Sequence, residues 1–303
     1  MSFSSILGTV AVAGCACTAY GALYERTAFT LRRFTIPALP AGSEPLKTLH
    51  LSDAHMTPGQ QSKQEWMRGL ADLNPDFIVS TGDNLAHADA VPAVLRAYGD
   101  LLDLPGVFVF GSNDYFSPSP RNPLRYFFSG SDDAVISRGH DLPWRELRSS
   151  FTDRGWLDLT NRHGELTVKG LKLSFVGVDD PHLGYDELDD QPADQSADLA
   201  IGVTHAPYLR VLDRWNRLGY PLLFAGHTHG GQVCVPGFGA LVTNCDLDRA
   251  RAKGLHTHSV DGNAPSWLHV SAGLGTNPYT PIRFACRPEA SLLTLTAIDS
   301  AGS

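Results

Sequence analysis

PLLFAGHTHGGQ, residues 221–232, decides how this chain folds: a short apolar run, then His227 and His229 two residues apart, then a Gly pair. Five or six apolar residues, broken by glycine where polar side chains begin, read as a buried strand that delivers its imidazoles to the edge of a sheet. In α/β proteins the carboxyl ends of the strands are where sites are built. Two histidines alone are better explained as surface residues or hydrogen-bonded core residues, so the other strand ends must decide.

Five more runs end in the same way. LKTLHLSDAH (46–55) reads as a strand closing on Asp53 and His55, whose spacing of two turns both side chains to one side of an extended chain. DFIVSTGDN (76–84) closes on Gly82 and Asp83, and GVFVFGSND (106–114) on Ser112, Asn113 and Asp114. KLSFVGVDDPH (172–182) closes on Asp179, Asp180 and His182, and LAIGVTHAP (199–207) on His205. Between the first three lie helical patterns at 60–73 and 91–102; the former places Trp66, Met67, Leu70 and Leu73 on one core-facing stripe. Strand alternating with helix predicts parallel pairing. Further strands are expected near 267–275 and 291–297.

Carboxylates, an amide and imidazoles at neighbouring strand ends form a donor set that suits Mn, Fe or Zn better than Mg or Ca, which favour oxygen cages. Two such ions a few Å apart need a bridging carboxylate, and Asp83 is the expected bridge.

Composition excludes other classes. With 24 basic against 32 acidic side chains in 303 residues the net charge is -8; nucleic acid is not expected as a partner, because backbone binding wants clustered Lys and Arg. Five cysteines without CxxC spacing indicate neither a disulfide framework nor a zinc knuckle. No GxGxxG or Walker pattern follows the first strand, which argues against a redox or nucleotide-binding α/β protein.

Residues 3–24 carry no charge and are rich in Ala, Gly, Val and Leu, and about 20 such residues span a bilayer. A transmembrane anchor is therefore expected at 1–25, followed by a stiff juxtamembrane tether at 26–45 and a catalytic domain at 46–303. Arg26, Arg32 and Arg33 follow the apolar run while nothing basic precedes it, which places that domain on the cytoplasmic side of a single-pass cell-membrane protein.

Taken together, DxH at 53–55, GDN at 82–84, GSND at 111–114, THAP at 204–207 and GHTH at 226–229 resemble, in order, the motifs of the calcineurin-like metallophosphoesterases. GHTHGGQ and the PIRF…RPE run at 281–289 look most like the membrane-associated bacterial branch found beside phospholipid phosphatases. The resemblance implies a four-layer α/β/β/α sandwich of two mixed sheets. It also implies two divalent metal ions: one on Asp53, His55, Asp83 and His229, the other on Asp83, an amide, His205 and His227. Water shared by the two, its pKa lowered to about 7, is the expected nucleophile on a phosphoester. One motif departs from the pattern. Where the family has GNHD this chain has GSND, so either Asn113 supplies the amide or Ser112 or water takes that place; Asn113 is the better donor, because a neutral hydroxyl ligates poorly. The usual histidine that assists the leaving group is then missing, and His182 or Asp114 is expected to stand in.

An aromatic and basic insertion at 115–151 interrupts the order. Its YFSPSPRNPLRYFF run puts Arg121 and Arg125 among Tyr115, Phe116, Tyr126, Phe127 and Phe128, a composition suited to a membrane interface and to clasping phosphate, or to an ordinary packed insertion. DLDRARAKG (246–254) is either a second place for an anionic head group or a solvated face. With an anchor holding the pocket near the bilayer, a lipid phosphate or pyrophosphate is the expected substrate. A nucleotide phosphodiesterase and a membrane-tethered module without catalysis are the alternatives.

Overall fold

The structure, a computed structural model, describes residues 3–119 and 139–298. In chain order the elements are α1 (Phe3–Leu23), β1 (Thr30–Leu39), β2 (Leu46–Leu51), α2 (Gln61–Arg68), β3 (Phe77–Ser80), α3 (Val91–Tyr98), β4 (Gly106–Phe108), α4 (Ser112–Tyr115) and α5 (Trp144–Thr152). There follow β5 (Leu157–Asp158), β6 (Arg162–Val168), β7 (Leu171–Gly177), β8 (Leu199–Val203), α6 (Leu209–Arg217), β9 (Leu222–Ala225), β10 (Cys234–Val235), β11 (Gly239–Ala240), β12 (Gly254–His258), β13 (Ser266–Val270) and β14 (Glu289–Ala297).

Two six-stranded sheets form, ordered β1-β14-β2-β3-β4-β5 and β12-β13-β9-β8-β7-β6. Each pairs three strands in parallel at its centre, β2/β3/β4 and β7/β8/β9, as alternating strands and helices require. The antiparallel pairs β14/β2, β6/β7 and β12/β13 make both sheets mixed.

Three apolar interfaces separate four layers. Met67, Val94, Tyr98 and Phe151 pack with Ile78 and Phe108 between the first sheet and α2, α3 and α5. Phe77, Val79, Leu293, Phe175, Ile201 and Phe224 fill the space between the sheets. Val211, Leu212 and Trp215 of α6 cover Leu223 and Leu268 of the second sheet. Strand residues at the centre are apolar on both faces because both faces are covered.

Register aligns the strand ends: Leu51 pairs Ser80, Ser80 pairs Phe108, Gly177 pairs Val203, and Val203 pairs Phe224. The polar residues that follow each strand therefore emerge level with one another.

Two expectations change. Residues 26–45 are not a tether: β1 lies in that stretch and runs parallel to β14 from Thr30 to Leu39, burying Ile36 and Leu39. Alternating apolar positions there were masked by the prolines, which an edge strand tolerates. The expected transmembrane span is not confirmed: among the described residues no helix is long and apolar enough to cross a membrane. The last turn of α1 is committed elsewhere, with Gly21 buried and Tyr20 edge-on to Phe284 at 6.2 Å.

Candidate metal centre

Asp53 and His55 follow β2, Asp83 follows β3, His205 follows β8, and His227 and His229 follow β9, and all but His229 are buried. Ligand atoms of Asp53, His55 and His229, and of Asp53, Asp83 and His205, form two groups within 4.8 Å of one another. Oδ2 of Asp83 lies 3.5 Å from Nε2 of His55 and 3.5 Å from Nε2 of His205. One carboxylate oxygen thus stands between two histidine groups, where a bridge belongs.

Hydrogen bonds decide which nitrogens point inward. Nδ1 of His205 is 2.7 Å from the Thr81 carbonyl, and Nε2 of His227 is 3.1 Å from the Asn244 carbonyl. A carbonyl only accepts, so those nitrogens carry the protons, a tautomer assigned from the partner. The lone pairs of His205 Nε2 and His227 Nδ1 then face each other at 3.3 Å, and Nε2 of His55 faces Nε2 of His229 at 3.1 Å. Facing lone pairs repel unless a proton or a cation lies between them, and beside two carboxylates a divalent ion satisfies every donor at once. The residues present fit two ions.

Electrostatics express the same need. Burial works against a charged His205, yet the carboxylates of Asp83, Asp180 and Asp53 hold it well above its ordinary value. Burial also disfavours the charged form of Asp83, but His205, His55 and the Asn113 amide hold it well below. His227 and His229 are pushed well below by burial and by neighbouring imidazoles, His55 falls to about 4 chiefly through burial, and burial lifts Asp53 to about 6.

The loops store strain. Asp53 (φ 50°), His55 (41°), Asp83 (54°), His227 (69°) and His229 (50°) all have left-handed backbones, which cost of order 1–3 kcal/mol each and persist only where packing over-determines them. Gly111 allows the closest approach: a Cβ there would collide with Oδ1 of Asp83 and lie 2.6 Å from Nε2 of His205.

The structure brings most expected residues together and gives some of them other work. The backbone N–H of Asn113 donates to Oδ1 of Asp83, and its Nδ2 donates to Oδ2, each at 2.7 Å. Asn113 thus touches the bridging carboxylate through its nitrogen. Asp114 does not face the ligands: its carboxylate accepts N–H bonds from Asp83 (2.7 Å), Asn84 (2.8 Å), Leu85 (3.2 Å) and Gly111 (3.1 Å), so it is a clasp for two loops. His182 sits with its ring 4.7 Å from that of His227, and its Nδ1 is 3.1 Å from the Tyr208 hydroxyl. Arg121 and Arg125, with Tyr126, Phe127 and Phe128, lie outside the described residues.

Sequence reasoning missed two supports, and placed Asp180 at a strand end without a role. Arg283 is fully buried; its Nη2 donates to the carbonyls of Gly275 (2.6 Å), Ala272 (2.7 Å) and Gly273 (3.1 Å), and lies 3.2 Å from Nδ1 of His229. The PIRF…RPE run held that signal, but nothing local marks an arginine for burial. A polar chain runs from His269 through His50 and Thr81 to Ser52, whose hydroxyl donates to Oδ2 of Asp53 at 2.5 Å. Asp180, fully buried behind His205, has an Oδ2 without a partner.

The model of the calcineurin-like phosphoesterase family matches residues 46–231, more than half of the chain. The chain belongs to this family. It is 28% identical over 256 residues to the metallophosphoesterase YkoQ of Bacillus subtilis (strain 168), covering 83% of each chain. It is 25% identical over 289 residues to the metallophosphoesterase YkuE of the same organism, covering 90% of this chain and 86% of that one. Among solved structures, TT1561 of Thermus thermophilus aligns with 76% of this chain and 91% of its own, at 15% identity and a TM-score of 0.38. The chain is thus a hydrolase of phosphoester bonds with a site able to hold a dinuclear centre.

Proposed function

We propose that the chain hydrolyses a membrane lipid phosphate or pyrophosphate at a dinuclear centre held by Asp53, His55, Asp83, His205, His227 and His229, with Asn113 beside the bridge. The observation that carries the dinuclear reading is Oδ2 of Asp83, equidistant at 3.5 Å from an imidazole of each group. The donor set favours Mn, Fe or Zn. When bound, such ions supply Lewis acidity toward phosphoryl oxygens and lower the pKa of water in the site.

The chain's own residues do the rest. Asp83 and Asp53 bring the negative charge that keeps the ions in place. Thr81, Asn244 and Gly275 fix the imidazoles through their carbonyls, so the site is organised before substrate arrives. His182, at the edge beside His227, holds a proton for the leaving oxygen.

Lipid as substrate is supported by α1, which carries no charge and is exposed along residues 12–20 and again at Leu23. An apolar helix bare over that length is suited to a bilayer surface. The enzyme acts at the cytoplasmic face of the cell membrane, as the arginines after α1 suggest.

The test is metal content per chain, with hydrolysis of an aryl phosphodiester, a nucleotide phosphodiester and phospholipid phosphates, for wild type and Asp83→Asn. Near two ions per chain and preferred turnover of the lipid, lost in the variant, is the expected result. Faster turnover of the nucleotide overturns the lipid reading, and at most one ion with no turnover overturns the centre.

A further inference from the structure

A pocket of about 400 Å³ lies at the foot of α1, lined by none of the metal-ligating residues. Arg32, Lys253 and Arg287 line it, with Tyr20 and Phe284 as an aromatic wall and Glu25 among its lining residues. Three cations around one pocket run against a chain whose net charge is -8, and such local reversals mark anion sites.

The carboxylates nearby are already engaged. Glu25 is buried, its oxygens accepting the backbone N–H groups of Cys286 at 2.7 Å and Ala285 at 3.1 Å. Glu289 holds Arg32 at 3.3 Å from beneath, leaving the arginine side chain 46% exposed. Among the described residues neither Lys253 nor Arg287 is ion-paired; Nζ of Lys253 rests 3.4 Å from Sγ of Cys286. Two cations therefore face the pocket without a carboxylate of their own, and a phosphate group, singly charged as a diester and up to doubly charged as a monoester, meets them with several acceptor oxygens.

The pocket is rigid on the α1 side. Gly21 packs so closely that a Cβ would lie 2.6 Å from the Arg283 carbonyl, and the Arg283 N–H donates to the Gly21 carbonyl at 3.3 Å. An apolar substituent leaving the pocket past Tyr20 would run along the exposed face of α1.

We propose that this pocket is a phosphate-binding site, taking a phosphomonoester or phosphodiester group through Lys253, Arg287 and Arg32. It requires no hydrolysis at the metal centre; only its use by a lipid rests on the lipid reading above. It shares no residue with the metal ligands, and Cys286, whose thiol donates to the His229 carbonyl at 3.3 Å, lies between Lys253 and His229.

The experiment uses the full chain as wild type, Arg287→Glu, and Arg154→Glu as a charge-matched control elsewhere on the surface. Two probes are applied: inorganic phosphate, read as the shift in thermal midpoint, and co-sedimentation with vesicles of phosphatidylcholine alone or mixed with phosphatidylglycerol. Hydrolysis of a soluble aryl phosphodiester is followed in parallel and is expected to be equal in all three proteins. Retention on anionic vesicles that falls about tenfold in Arg287→Glu, but not in Arg154→Glu, supports the site with lipid as its source. A phosphate-induced shift larger in wild type than in Arg287→Glu, with no vesicle retention, supports it with a soluble phosphate instead. A metal-loaded centre would also bind phosphate, so the difference between proteins is the readout. Equal shifts and equal retention in wild type and Arg287→Glu, or equal losses in both variants, overturn the proposal. A binding difference without hydrolysis in any protein overturns the proposed function and leaves the pocket standing.

Discussion

Nε2 of His55 and Nε2 of His229 lie 3.1 Å apart with their rings stacked at 4.9 Å. Burial keeps both rings neutral, so without an ion the contact rests on one Nε2–H donating to the other ring, whereas a cation draws on both lone pairs at once. Metal should therefore stabilise the fold as well as serve the reaction. At free ion about a hundredfold above Kd the gain is about 2.7 kcal/mol, and at ~2–4 °C per kcal/mol for a domain of this size chelation should lower the thermal midpoint by several degrees. An unchanged midpoint after complete removal of metal would contradict the fit of these donors to an ion.

Asp114 separates a structural from a catalytic carboxylate. Four backbone N–H groups converge on its two oxygens, and an amide in its place would turn an NH2 against some of those donors. Asp114→Asn is expected to lose about 2–3 kcal/mol of stability, measured by denaturant unfolding, with ion content falling alongside because Asp83 shares the clasped loop. A variant as stable as wild type but slow in turnover would restore Asp114 to the chemistry.

His182 can be read through the leaving group. An alkyl ester needs a proton on the departing oxygen, whereas a nitrophenyl ester departs without one. His182→Ala should lower kcat on an alkyl phosphoester by about a hundredfold or more and on a nitrophenyl ester far less. Equal losses on both would assign His182 to orientation of His227, against which its ring lies at 4.7 Å.

The strand ends were legible because each apolar run stops at a glycine or a ligand residue, and register then leaves them level. Asp53, His55, Asp83, His205, His227 and His229 come together at those ends. What the sequence hid depends on long-range contact. β1 owes its strand to β14, some 260 residues away in the pairing of Thr30 with Glu289. Asp114 reads as one more polar residue at a strand end, and its clasp exists only once β3 and β4 are side by side. Arg283 is burial without a local mark, since its partners are backbone carbonyls that any sequence supplies.

That arginine carries the next prediction. Its fork reaches the carbonyls of Gly275, Ala272 and Gly273 together and stands against Nδ1 of His229, a geometry that a lysine ammonium cannot reproduce. Arg283→Lys is expected to destabilise the chain by about 3 kcal/mol, as loss of partners in a buried charged network does. Ion content should also fall toward one per chain as His229 loses its support. Two ions retained at wild-type affinity would show that His229 is fixed by the Gly275 carbonyl alone.

Acid should act through the buried histidine pair behind the site. His50 and His269 meet Nδ1 to Nδ1 at 2.8 Å, one nitrogen donating and the other accepting, so each ring is neutral in the fold. Burial, with His269 as neighbour, holds His50 well below its ordinary value, and burial takes His269 to about 3. Both folded values lie below the unfolded one of about 6.5, so between those limits the unfolded chain binds more protons and stability falls as the pH drops. Each unit of pH below about 6.5 then costs about 1.4 kcal/mol per histidine. Metal ligands add to the same slope, so the comparison must be with His269→Gln, which keeps a polar partner for His50 but no titration. Urea unfolding at pH 7 and pH 5 should show wild type losing about 1–2 kcal/mol more than the variant across that interval; parallel losses would mean that the pair is already protonated or open in the folded chain.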